Sequence, residues 1–250
     1  MNVRVFPTRQ ELAQAAADKA AEAIRGAIGE RGRAFVIVAT GNSQLDFLNA
    51  LVRDGSVDWS KVVLFQLDEY IGLPSGHPAS FAHFIRKNIL DRIRPEKAYL
   101  IEDYEAWKIS ELVSKQTIDV AFAGIGENGH LAFNDPPADF ETEEPYLRVQ
   151  LDRACREQQV GEGWFPTFDD VPKEALSMSI RQILKSREII CVVPERRKAE
   201  AVRDCLGEPV TPLHPASILQ EHPGATVFLD TESASLLPGV GGRQAGDLPH

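Results

Sequence analysis

The stretch VAFAGIGENGHLAFNDP, residues 120–136, indicates how this chain folds and where its polar chemistry lies. Its first four residues are apolar and end at a glycine, a pattern typical of a buried strand that runs into a loop. In open α/β sheets, functional loops follow the carboxyl ends of such strands. The loop carries His130, whose side chain titrates near neutral pH, and Asp135, which is close enough in sequence to orient it. The stretch therefore predicts a catalytic loop, although a turn histidine that only satisfies backbone groups fits equally well.

A second apolar run, VVLF at residues 62–65, continues into QLDEY at residues 66–70. Adjacent strand residues point to opposite faces, so Asp68 and Glu69 cannot both face one cleft unless the strand has already ended. We expect one of these two acids to be functional. The alternative is that both are helix caps or solvated turn residues.

A third loop, TGNSQ at residues 40–44, follows the apolar run at residues 35–39 and precedes a helical spacing of leucines. Backbone N–H groups at a helix N-terminus favour a phosphate or carboxylate. A fourth strand, residues 188–193, leads to Lys198, which we expect near the same anion. The alternatives are an ordinary strand-to-helix turn with Ser43 as its N-cap and a solvated basic face.

Apolar runs alternate with helical patterns along the chain. Strands are predicted at residues 3–6, 34–39, 62–67, 119–124, 188–193 and 225–229, and helices at 9–28, 43–53, 78–91, 104–115, 173–184 and 195–206. This alternation predicts an α/β fold, a single-domain open parallel sheet with helices on both faces (Rossmann-like). We expect one domain over residues 1–234, with a lid over the site at 136–172 and a flexible tail at 235–250.

Composition narrows the class of protein. The chain has 250 residues, a formal net charge of −10 and a sequence pI near 5.1, which argues against a nucleic-acid partner. Its three cysteines, Cys155, Cys191 and Cys205, have no spacing typical of a disulfide framework or zinc site, and Cys191 is expected in the core. No signal-peptide pattern or membrane-length apolar run is present, so we expect a cytoplasmic protein.

Together these segments resemble the glucosamine-6-phosphate deaminase (isomerase) family, within the wider group that includes 6-phosphogluconolactonase. The resemblance covers roughly residues 5–230, and its most specific pieces are LDEYIGLPSGHPASF at 67–81 and GIGENGHLAFNDP at 124–136. Weaker support comes from ATG at 39–41 and ERRKAEAV at 195–202. The lactonase branch is expected to have an acid–arginine pairing in the first motif and DGHTASLFP in the second, so the deaminase branch fits better.

The resemblance implies ring opening of an amino-sugar phosphate, proton transfer from C2 to C1, and hydrolysis of an imine to ammonia and fructose 6-phosphate, with no cofactor and no metal. Asp68 would be the base and His130 would assist ring opening, oriented by Asp135 and Asn128. The remaining assignments are Thr40, Gly41, Asn42, Ser43 and Lys198 for the phosphate, and Glu69, Gly126 and Arg156 as possible substrate contacts. The resemblance leaves open whether the chain is a homo-oligomer.

Some residues depart from the family pattern. Asp135 stands where many members have glutamate, so we expect a longer or water-bridged contact to His130 and reduced activity. TGNSQ reshapes the phosphate loop, and Arg156 is only a stand-in for the substrate-binding arginine of typical deaminases. The acidic stretch 139–144 lacks the basic residues of allosterically activated members, so no such activation is expected. A lactonase, a galactosamine-6-phosphate deaminase and a non-catalytic phosphosugar sensor remain alternatives.

Overall fold

A computed structural model of the chain describes residues 1–74, 76–238 and 247–248. The strands are β1 Asn2–Phe6, β2 Ala34–Val38, β3 Val62–Gln66, β4 Asp68–Tyr70, β5 Lys97–Tyr99, β6 Val120–Ala123, β7 Tyr146–Gln150, β8 Glu174–Met178, β9 Glu188–Val193, β10 Ala225–Asp230 and β11 Asp247–Leu248. The helices are α1 Arg9–Arg31, α2 Leu45–Arg53, α3 Phe81–Ile85, α4 Ala106–Ser114, α5 Arg153–Gly161, α6 Ile180–Leu184 and α7 Ala199–Gly207. Most of the predicted tail, 239–246 and 249–250, lies outside the described residues.

The main sheet has the strand order β11-β1-β10-β9-β6-β2-β3-β5. All of its neighbouring pairs are parallel except the short β11, which runs antiparallel to β1. From β2 the chain builds outward through β3 to β5, and it then returns to β6 on the other side of β2. The predicted open parallel sheet is therefore confirmed, and its order changes direction between β2 and β6.

Helix α1 packs across the middle of this sheet. Thr8 caps its N-terminus by accepting a hydrogen bond from the Glu11 N–H at 3.2 Å. Small buried side chains such as Ala16 and Ala20 allow the helix to lie close to β2, β9 and β10. Gly32 ends the helix in the left-handed conformation, with φ of 80°. Alanine helix propensity and close packing thus determine where α1 forms and which face it buries.

A second, three-stranded antiparallel sheet has the order β4-β8-β7. The predicted helix at residues 173–184 is wrong in its first half, because β8 occupies Glu174–Met178 and only α6 is helical. The residues EALSM have good helix propensity, but β4 and β7 offer hydrogen bonds on both sides of this segment. Tertiary pairing therefore outweighs local propensity here.

The two sheets join where β3 leaves the main sheet and β4 begins. Leu67 is the one residue between these strands, and its N–H donates to the Val38 carbonyl at 3.1 Å. Its own carbonyl accepts from the Met178 N–H at 2.9 Å. Buried Gln66 donates to the Asp68 carbonyl at 2.7 Å and accepts from the Ile101 N–H at 2.9 Å. These bonds fix β4 beside the carboxyl end of β2.

Candidate active site

The carboxyl ends of β2, β6 and β9 open into a cleft. It lies at the change of direction in the sheet order, where open α/β sheets bind their ligands. The predicted site residues that line it are Thr40, Gly41, Ser43, Asp68, Gly126, His130 and Lys198. Loops that are far apart in sequence therefore meet in one pocket.

Asp68 lies on β4 and turns its carboxylate into this pocket, where it is only 7 % exposed. No described residue donates a hydrogen bond to that carboxylate. Burial raises the pKa of Asp68 to about 8, and the neighbouring charge of Glu69 adds to the rise. A buried carboxyl whose pKa lies near neutrality is suited to take up and release a proton.

Glu69, predicted as a possible substrate contact, does not line the pocket, and its side chain is bonded on the side of α3. Its carboxylate accepts hydrogen bonds from the Ser80 hydroxyl at 2.9 Å and from the N–H groups of Phe81 and Ala82 at 3.1 and 2.7 Å. It therefore satisfies the N-terminus of α3. The alternation of side chains along β4 separates the two acids, as the sequence predicts.

His130 is backed by a hydrogen-bonded network that we call the orienting network, made of Asn128, Asp135 and Asp152. The imidazole Nδ1 lies 3.1 Å from Asp135 Oδ1. That oxygen also accepts from the Asn128 amide at 3.0 Å, while Oδ2 accepts from the Asp152 backbone N–H at 3.0 Å. Asn128 donates further to Asp152 Oδ2 at 3.1 Å. The shorter Asp135 therefore contacts His130 directly, and the expected longer or bridged contact is wrong.

The charge of Asp135 decides the tautomer of the histidine. Burial opposes ionisation of Asp135, but the interaction with His130, together with the hydrogen bonds from the Asp152 N–H and Asn128, outweighs burial and holds the pKa of Asp135 below its usual value. An ionised carboxylate only accepts, so we assign the Nδ1 proton of His130 as the donor. Nε2 is then the ring nitrogen available on the pocket side. Gly126 lies against this ring, and a Cβ at position 126 would collide with it.

Within the described residues, side-chain ligand atoms of His130, Asp135 and Cys155 lie within 4.8 Å of one another. Burial raises the pKa of the Cys155 thiol well above its usual value, and the nearby Asp135 and Asp152 charges add to this. Hydrogen bonds already satisfy Asp135, so we assign this cluster to the orientation of His130.

At the other end of the pocket, which we call the anion end, Lys198 is buried with only 3 % exposed surface. Among the described residues its ammonium has neither a hydrogen bond nor an ion pair. Burial lowers the pKa of Lys198, and Glu162 is the acid that most opposes that effect. The Thr40 hydroxyl is likewise buried without a partner. Such unsatisfied groups are rare in folded proteins and here mark a place for a ligand.

Asn42 and Arg156, which the sequence predicts as binding residues, are not among the residues that line the pocket. The Asn42 amide donates to the Glu162 carbonyl at 3.3 Å, which ties the phosphate loop to the end of α5. Arg156 lies on another face of α5, donates to the carbonyls of Phe168 and Val171 at 2.8 and 3.0 Å, and stacks on the Phe168 ring. Both side chains hold loops in place instead of facing the cleft.

The segment predicted as a lid, residues 136–172, contains β7 and α5 and contributes one wall of the pocket. Gln158, Gln159, Glu162 and Trp164 line the cleft from this wall, and the sequence analysis missed all of them. The run QQVGEGW at residues 158–164 could have indicated this wall, because it places two amides, an acid and an indole beside glycines. Which face of α5 meets the pocket was not readable from the sequence.

Comparison with known proteins shows the family of this chain. The sequence profile of the family described as glucosamine-6-phosphate isomerases/6-phosphogluconolactonase matches residues 7–228. The chain belongs to this family. A glucosamine-6-phosphate deaminase of Thermoanaerobacter pseudethanolicus is 32% identical over 232 residues, which are 88% of this chain and 90% of the relative. One from Oenococcus oeni is 33% identical over 228 residues, 89% of this chain and 94% of the relative.

Solved structures of the glucosamine-6-phosphate isomerase/6-phosphogluconolactonase family share the fold. That of a monomeric glucosamine-6-phosphate deaminase has a TM-score of 0.85 and 32% identity, covering 94% of this chain and all of that one, 100%. A 6-phosphogluconolactonase from Shewanella baltica has a TM-score of 0.70 at 20% identity, covering 91% and 96%, and supports the fold alone. No helix among the described residues is long and apolar enough to cross a membrane.

Proposed function

We propose that this chain is a glucosamine-6-phosphate deaminase, which converts glucosamine 6-phosphate and water to fructose 6-phosphate and ammonia. One observation carries the proposal: a buried, unpartnered carboxylate, Asp68, and a buried, unpartnered ammonium, Lys198, face the same pocket. Folding leaves both groups without a partner, which is costly unless a ligand supplies one. An amino-sugar phosphate offers a C–H acid next to an amine at one end and an anion at the other.

The proposed mechanism begins with His130. Its Nε2 moves a proton at the ring oxygen so that the sugar opens, while Asp135 keeps the imidazole oriented through Nδ1. Asp68 then removes the proton from C2 and returns it to C1, which converts the aldose into a ketose imine. Water adds to this imine, and the C2–N bond breaks to release ammonia. The pKa of about 8 at Asp68 makes both taking up and returning the proton accessible near neutral pH.

The phosphate is proposed to bind at the anion end. Lys198 supplies the charge, and Thr40, Gly41 and Ser43 supply the hydroxyl and backbone N–H groups before α2. Fixing the phosphate there holds C1 and C2 beside Asp68, since positioning lowers the entropic part of the barrier. The proposal retains a cytoplasmic location, because a phosphorylated sugar does not cross a bilayer unaided.

The test is to incubate the purified protein with glucosamine 6-phosphate and measure ammonia and fructose 6-phosphate together. We expect equal amounts of both products, and neither from an Asp68→Asn variant. Parallel reactions with galactosamine 6-phosphate and with 6-phosphogluconolactone serve as competitors. Turnover of either competitor in preference to glucosamine 6-phosphate, or binding without turnover, would overturn the proposal in favour of another phosphosugar enzyme or a sensor.

A further inference from the structure

The anion end contains an acid as well as a base. Glu162, just after α5, lines the pocket together with Lys198, and its side chain is only 8 % exposed. Glu162 and Asp68 are the acids that line this pocket within the described residues. Asp68 has its place in the proposed proton transfer, whereas nothing in that chemistry uses a carboxylate near the phosphate. A buried acid that faces an anion site therefore needs its own explanation.

Hydrogen bonds hold the Glu162 carboxylate in this position. Oε1 accepts from the Gln158 amide at 2.8 Å and from Arg197 at 3.2 Å, while Oε2 accepts from the Trp164 indole at 3.2 Å. Donors from three side chains keep the negative charge fixed beside the cleft. The Glu162 carboxylate therefore keeps its position when an anion binds in the cleft.

The ion pair with Arg197 does not fully neutralise the negative charge of Glu162 at the anion end. The Arg197 guanidinium is shared among Glu162, Glu127 and Glu195, with distances of 3.2, 3.2 and 2.7 Å. Glu195 also pairs with Arg9, so the effect of Glu162 comes from its position beside the cleft and not from an excess of acids. Lys198 faces the pocket without an ion pair, and Glu162 is the acid with the largest electrostatic effect on it. The field at the anion end is therefore weaker than one lysine alone would produce.

We propose that Glu162 sets the charge selectivity of the anion end by opposing the second negative charge of a bound phosphate dianion. This inference rests on the proposed function and adds a specificity-determining residue to it. Glu162 lowers the affinity for substrate and for the phosphorylated product alike, since both carry the same phosphate. An effect shared by substrate and transition state changes KM and leaves kcat unimproved.

The test replaces the carboxylate by its neutral isostere, Glu162→Gln. The amide oxygen still accepts from Arg197 and Gln158, so the variant loses the charge and one indole hydrogen bond. We expect KM for glucosamine 6-phosphate to fall about three- to tenfold, with kcat unchanged or lower. Titration calorimetry measures binding apart from turnover, with sulfate as a probe of two negative charges and nitrate as a probe of one. We expect sulfate to bind more tightly and nitrate to change less.

Two matched variants isolate the cause. Glu127→Gln removes a charge that also pairs with Arg197 at 3.2 Å and acts on Lys198 less strongly than Glu162 does. Because Glu127 is 38 % exposed and does not line the pocket, KM and sulfate affinity should change much less than in Glu162→Gln. Trp164→Phe removes the same hydrogen bond from Glu162 without changing any charge, so sulfate should not bind more tightly.

The outcomes separate this inference from the proposed function. A higher KM or weaker sulfate binding in Glu162→Gln would overturn it, and Glu162 would then only hold Arg197 in place. Equal tightening in Glu127→Gln would overturn it as well, because the effect would then be one of overall charge. Tighter sulfate binding in a protein that releases no ammonia would support the inference while the proposed deaminase activity fails.

Discussion

The orienting network behind His130 and the charged groups that face the pocket differ in whether their buried polar atoms have hydrogen-bond partners within the protein. Asp135 accepts from His130, Asn128 and the Asp152 N–H, so its oxygens are satisfied within the protein. Asp68 and Lys198 are equally buried but have no hydrogen-bond partner among the described residues. The first region is complete without a ligand, and the second is not.

This difference predicts how substitutions separate stability from activity. A satisfied buried network contributes to folding, so damage to it should lower both the free energy of unfolding and the turnover. A buried charge without a partner costs stability, so its removal should destroy function while the fold becomes more stable. The following substitutions test that contrast, in order of expected effect.

Asp68→Asn should have the largest effect on activity. We expect kcat to fall roughly 10³- to 10⁴-fold, because the proposed proton transfer loses its base. Ammonia release under saturating glucosamine 6-phosphate measures the loss. A fall of less than tenfold would contradict the assignment of Asp68 as the base.

The same variant should be more stable than wild type, and the gain should depend on pH. The pKa of Asp68 is raised from 3.8 to about 8 on folding, so between these values the folded protein binds a proton that the unfolded chain has released. Wild type therefore loses stability as the pH rises through this window, whereas Asp68→Asn does not. Denaturant unfolding at about pH 4 and pH 8 measures the difference. An equal gain at both pH values would show that the carboxyl group has an ordinary pKa.

Asp135→Asn should lower both the turnover and the stability of the protein. The amide nitrogen would face the N–H donors of His130, Asn128 or Asp152, so a hydrogen bond is replaced by a donor–donor contact. We expect kcat to fall about 10²-fold and the free energy of unfolding to fall by about 1–3 kcal/mol. Steady-state kinetics and denaturant unfolding of the same preparation check this. A gain in stability would contradict this, because it would mean that Asp135, like Asp68 and Lys198, is a buried charge that costs stability.

Lys198→Met should act on binding. We expect KM for glucosamine 6-phosphate to rise roughly 10- to 100-fold, as befits loss of a hydrogen bond to a charged group, with a smaller change in kcat. The melting temperature should rise, because methionine fills a similar volume without a buried unpaired charge. An unchanged KM would mean that the phosphate binds elsewhere in the cleft.

Asp152→Ser should have the smallest effect. Serine still caps α5, as Asp152 does for the Cys155 N–H, but it cannot reach Asn128 as the Asp152 carboxylate does at 3.1 Å. We expect kcat to fall about three- to fivefold with an unchanged KM, since only the support behind His130 is weakened. A change in KM alone would indicate that Asp152 acts on substrate binding and not on the histidine.

Much of the fold was predictable because the central strands are short apolar runs buried on both faces. The predicted strand at residues 188–193 matches β9, and the predicted runs at 34–39 and 62–67 differ from β2 and β3 by one residue at the end. The small antiparallel sheet was not predictable in the same way. Strand β8 consists of residues that favour helices, and β4 has only three residues. Both segments form strands because of the strands that they pair with, and those partners are not visible in the local sequence.

The sequence by itself determined the chemical groups of the site and the strand ends that carry them. Local spacing was sufficient for this, since a buried strand followed by a glycine-rich loop places His130 and Asp135 at the carboxyl edge of a sheet. Only the tertiary structure decided which of two adjacent acids faces the pocket, that Arg156 turns away, and that Glu162 stands beside Lys198. Those outcomes depend on the pairing of β4 and the packed face of α5, which join segments far apart in the chain. Long-range contacts of this kind leave no periodic trace in one sequence.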